Sequence, residues 1–128
     1  MSGLKTFMFC GFVSGLLGLP ALAAPSDLTI SMAGCVGRFS AELEHAWLMR
    51  DAQSAVLEDQ RAEFLAILEA ITSPDAKTAI MAHRIEAKNA HAQLLSVATF
   101  GSDVRRSAWA RRQSQHFKAN CAKKLLKS

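Results

Sequence analysis

From residue 26 onward, apolar positions recur at intervals of three and four, the spacing that lines one face of an α-helix. Met32, Val36, Phe39, Leu43, Ala46 and Trp47 make a first stripe, with Cys35 at its flank, in a helix expected to begin near Asp27 or Thr29. Val56, Leu57, Phe64, Ile67, Leu68 and Ile71 make a second, with Glu58, Asp59, Glu63 and Glu69 off it. Thr72-Ser73-Pro74-Asp75 then offers an N-cap, a proline at the first helical position and an acid in the first turn, which marks a new helix start. That helix carries Ile80, Met81, Ile85, Leu94, Leu95 and Ala98 to about Phe100, where Gly101 supplies a stop and Ser102 or Asp103 the next cap. A last helix holds Trp109, Ala110, Phe117, Cys121 and Leu125 on one side. There is no tyrosine, and Pro74 is the one proline after Pro25, so strands have little to recommend them.

Residues 1–23 have a different pattern. Lys5 precedes an apolar run from Phe7 to Leu19, and Ala21 and Ala23 occupy the small-residue positions of a cleavage site, the layout of a secretory signal peptide. The run is shorter than the roughly 20 residues that span a bilayer, which favours cleavage over anchoring and leaves no transmembrane segment afterwards. The mature chain is then residues 24–128, short enough for a single helical domain. Its expected location is outside the cytoplasm, periplasmic or secreted. Two cysteines remain, Cys35 and Cys121, and an oxidising compartment with an even count points to a disulfide between them. Gly34 and Gly37 beside Cys35, and Ala119 and Ala122 beside Cys121, permit the close helix approach such a bond needs.

The junction at Met49-Arg50-Asp51 has no glycine or proline, so local rules do not separate the first two helices. Register does. In antiparallel helices a turn lies midway between residues at one level, so turns near Ser73 and Gly101, with Cys35 level with Cys121, require a further turn at about Arg50. The expected fold is all-α: a single antiparallel up-down-up-down four-helix bundle whose first and last helices are linked by a disulfide. The first and third helices then lie on the diagonal, the second and third are neighbours, and Glu63 falls level with Arg84.

Charge is divided along the chain. Up to Ser102 the mature segment has Arg38, Arg50, Arg61, Lys77, Arg84 and Lys88 against Asp27, Glu42, Glu44, Asp51, Glu58, Asp59, Glu63, Glu69, Asp75 and Glu86. From Asp103 onward that single acid accompanies Arg105, Arg106, Arg111, Arg112, Lys118, Lys123, Lys124 and Lys127. A basic last helix on an acidic body suits either internal packing of opposite charges or a partner, namely a protein or an anionic envelope surface. Export argues against nucleic acid.

Catalytic signals are missing. No Gly-x-Ser-x-Gly elbow or glycine-rich phosphate loop occurs, and both mature cysteines are assigned to the disulfide, so a non-enzymatic binding protein is expected. No cofactor or metal is expected either. Glu42-x-x-His45 and His83-x-x-Glu86 match the paired Glu-x-x-His of di-iron bundles poorly, since one has the order reversed. Met32 and His116 lie too far apart in register to ligate a haem, and Met32 reads as core. On the third helix Ile80, Arg84, Ala87, His91, Leu94 and Ala98 alternate by four and three, placing Arg84 and His91 within an apolar stripe. Buried charge is costly unless paired, so Glu63 and Arg84 are expected as a buried polar pair and His91 with a carbonyl, carboxylate or water. The second reading makes Arg84 and His91 a polar pocket for a small anionic ligand, in a ligand or metal carrier.

Overall fold

The computed structural model describes residues 24–126; the expected signal segment lies outside the described residues, as do Lys127 and Ser128. Among the described residues four α-helices form: α1 (Asp27–Met49), α2 (Ser54–Ile71), α3 (Lys77–Phe100) and α4 (Val104–Leu125), with a 3₁₀ turn, Pro74–Ala76, leading into α3. Each boundary has a local cause. The Ser26 hydroxyl accepts from the Thr29 N–H to start α1. Arg50 ends α1 in the left-handed region (φ 53°), its N–H turned back to the carbonyls of Ala46 and Trp47, so the break falls where register required it. Ser73 and Pro74 open the 3₁₀ turn, and the Gly101 N–H bonds the Val97 carbonyl at the end of α3. The Asp103 carboxylate then accepts from the N–H groups of Arg105 and Arg106 to cap α4.

Cross-helix pairs show the expected up-down-up-down order. Phe39 packs on Phe64 with ring centroids 5.0 Å apart, and Arg61 Nε donates to Ser40 Oγ at 2.8 Å, setting α1 and α2 antiparallel. Ser107 Oγ donates to the Val97 carbonyl at 3.0 Å and Arg111 to that of Ala98 at 3.2 Å, which does the same for α3 and α4. Cys35 and Cys121 are joined, S–S 2.06 Å, Cα–Cα 5.6 Å.

One feature departs from the expected bundle: α1 and α3 are not held apart across a diagonal. They are the most extensively packed pair, running parallel, with Gly37 against α3 near Arg84 and Lys88 and His45 bonded to Thr99 farther on. A Cβ on Gly37 would stand 2.3 Å from the Arg84 carbonyl oxygen and 2.9 Å from the Lys88 nitrogen. Gly37 therefore serves the approach of α3 rather than the disulfide to α4. Because α1 touches every other helix, eleven of its residues are buried, and the core centres on Val36, Phe39 and Leu43 against Leu57, Phe64 and Leu68 of α2 and Ile80 of α3. Burying each such side chain contributes about 1.5–3 kcal/mol.

The short diagonal has a cost elsewhere. With α1 and α3 in direct contact, α2 and α3 barely touch, and a cleft opens between them. Stripe residues expected in the core are consequently half out: Trp47 (55 % exposed), Met81 (48 %) and Ile85 (51 %) all line that cleft.

Candidate functional site

The Glu63–Arg84 pair expected between neighbouring helices does not form. Glu63 is exposed and Arg84 half-buried, and the three ion pairs among the described residues join other groups. The splaying of α2 from α3 is the reason, since level residues on two helices meet only if the helices pack. The Arg84 guanidinium is left between the helices with no hydrogen bond or ion pair among the described residues. It faces a cleft of about 340 Å³ over Gly37, shared with Arg61, Lys88, Leu43, Trp47 and Ile85. A second hollow of about 460 Å³ toward the base of α3 also meets Arg84, beside Leu68, Ile80 and Lys77.

His91 lines neither of the two hollows that Arg84 meets. Its ring is 1 % exposed, and Nε2 lies 2.8 Å from Glu42 Oε1. The carboxylate partner is of an expected kind, yet it comes from α1, which only direct α1–α3 packing could supply. Glu42 Oε2 lies 3.6 Å from Lys118 Nζ on α4, so one carboxylate ties three helices. Nδ1 of His91 is buried without a partner. Burial works against the charge on Glu42, but the His91 hydrogen bond and the charges of Lys118 and His91 outweigh it and hold the carboxyl below its ordinary range. Beside this triad, Phe117 meets His91 edge-on and carries the Arg38 guanidinium 4.7 Å from its ring centroid. Glu42 and His45 turn to different partners, His91 and Thr99, and no group of three or more His, Cys, Asp or Glu among the described residues is placed to hold a metal ion.

The third feature is the outer face of α4. Its inner side is set by Ala110, Ser114 and Cys121, which are buried. Arg105, Trp109, Arg112, His116 and Lys123 follow one another at intervals of four, three, four and seven positions on the opposite side and are exposed, with Arg106 and Arg111 exposed at the flanks. The cations were candidates for packing on the acidic body, yet among the described residues Lys118 is the one α4 side chain that meets a carboxylate. Trp109, expected on the inner side with Ala110, is 48 % exposed instead. Adjacent residues on a helix diverge by about 100°, and it is Ala110 that takes the inward, buried position. No helix among the described residues is long and apolar enough to cross a membrane. No family model matches the chain, and no curated protein or solved structure shows significant similarity to it.

Proposed function

We propose that this is an exported, non-enzymatic binding domain that docks on an anionic envelope membrane through the outer face of α4. The observation that carries the reading is the row Arg105, Arg112 and Lys123, exposed and without carboxylate partners among the described residues, with Trp109 half-exposed within it. A cationic helix face attracts an anionic leaflet by about 1 kcal/mol per Lys or Arg near the surface, and an indole rests well at the boundary between headgroups and acyl chains. The acidic residues of the body orient the molecule, since they are repelled from the surface that attracts α4. A disulfide and a removable leader fit an extracytoplasmic setting.

Co-sedimentation with vesicles tests the reading. Vesicles of phosphatidylcholine with phosphatidylglycerol should bind the protein, phosphatidylcholine alone should not, and binding should weaken as salt rises. Replacing Arg105, Arg112 and Lys123 together by Gln should weaken it roughly a hundredfold, as about 3 kcal/mol implies. Equal binding to neutral vesicles, or retention by soluble heparin with no binding to either vesicle, would sink the proposal.

A further inference from the structure

The cleft between α2 and α3 is lined by residues of α1, α2 and α3 and lies apart from the outer face of α4. Its two ends differ. Arg61, whose Nε is held by Ser40 Oγ at 2.8 Å, and the unpartnered Arg84 sit at the level of Gly37 and Ser40. Ile85 follows Arg84 along the α3 wall, and toward the C-terminal end of α1 the walls become Leu43 and Trp47, with Trp47 and Ile85 about half-exposed. Lys88 and Glu44 neutralise one another on the rim, Nζ to Oε1 2.5 Å, and Glu58 is an exposed rim carboxylate.

Arg84 is half-buried as a residue, and its guanidinium has no protein acceptor among the described residues. An incoming anion can supply that acceptor, and the planar fork of Arg suits a carboxylate with two oxygens. The apolar walls have the opposite need, since covering Ile85 and Trp47 removes apolar surface from water. At about 340 Å³ the cleft lies near the bottom of the roughly 300–1,000 Å³ range for small-molecule sites, which favours one thin chain over a folded partner. We infer that the α2–α3 cleft binds a single-chain fatty carboxylate, its head at Arg84 beside Arg61 and its tail along Leu43 and Ile85 to Trp47.

Trp47 supplies the readout. In a Trp109→Phe background it is the remaining tryptophan, so its fluorescence reports the cleft. Dodecanoate, kept below its micellar concentration and without vesicles, should give a saturable change, whereas acetate, with no tail, and dodecanol, with no charge, should bind at least tenfold more weakly. Arg84→Met should weaken dodecanoate binding at least tenfold and Arg84→Lys by less. Ile85→Trp, at an exposed position, should fill the cleft and abolish the dodecanoate-induced shift of a one-bond NMR probe on Leu43 while helix content by circular dichroism is kept. If Arg84→Met fails to fold, Arg84→Lys and Ile85→Trp carry the comparison. The inference is overturned if dodecanol matches dodecanoate, or if folded Arg84 variants bind as wild type. It is equally overturned if dodecanoate never saturates and the protein instead forms a dimer that Ile85→Trp breaks, which would give the cleft to a second copy.

Discussion

Gly37 lies on α1 at its interface with α3. It is the point where the backbone of α3 comes against α1, and the atoms a Cβ would meet are the Arg84 carbonyl oxygen at 2.3 Å and the Lys88 nitrogen at 2.9 Å. Both belong to helix backbone, so neither can rotate away as a side-chain tip would. Gly37→Ala gains about 1 kcal/mol of helix propensity at an interior position, but it forces α1 and α3 apart along their most extensive interface. Overpacking of this kind costs about 1–3 kcal/mol and occasionally more, so net destabilisation is expected in urea unfolding. A Gly37→Ala protein as stable as wild type, with unchanged chemical shifts around Arg84, would show that the close approach is not needed. The glycine was conspicuous in the sequence as a break in helix propensity. Its partner was not legible there, because the nearby Cys35 offered a sufficient explanation for small residues on that stretch of α1.

At the scale of the helix, caps and turns were readable, since Ser73-Pro74, Gly101 and Asp103 act through their own backbone and hydroxyl or carboxylate groups. The Arg50 turn was readable from register alone. What could not be read was the shape of the bundle's cross-section: the same four helices in the same order form a square or a rhombus, and which diagonal shortens depends on side-chain volumes meeting across space. That choice turned Glu63 outward, freed Arg84, and delivered Glu42 to His91. The pairing across α1, α3 and α4 has a pH signature. Glu42 has its carboxyl pKa held below the ordinary 4.5, so as pH falls the unfolded chain takes up this proton first. Its contribution to stability is therefore complete above about pH 4.5 and is lost as pH drops through the lower folded value. At pH 7 Glu42→Gln should cost about 1.5–3 kcal/mol, the range for hydrogen bonds to charged groups, and the gap from wild type should shrink on acidification below pH 4.5. A gap that stays constant from pH 7 to pH 3 would remove the carboxylate's charge from the account.

For the molecule as a whole, α4 is the helix whose attachment is divided. It packs along α3, while its seam with α1 is narrow and contains the disulfide, the Arg38–Phe117 stack and the Glu42–Lys118 ion pair. Cys35 and Cys121 are 86 positions apart, so their bond restricts most of the described residues when the chain unfolds. The chain-entropy account puts the upper limit of that effect at about 4–5 kcal/mol. Since α3 still holds α4 in the folded state, breaking the bond should leave the helices in place and act on the unfolded state instead. The expected result for Cys35→Ala/Cys121→Ala is wild-type helix content at low temperature with stability reduced by about 2–4 kcal/mol, and hence a melting midpoint lower by more than about 8 °C. Both sulfurs are buried, Cys35 at 0 % and Cys121 at 1 % exposure, so alanine also removes packing. Wild type melted in reductant keeps the sulfurs and loses the cross-link, and the difference between it and the double variant isolates the packing loss. A midpoint that does not move in reductant, with both thiols shown to be free, would mean that α3 alone fixes α4 and that the bond contributes nothing to the stability of the bundle.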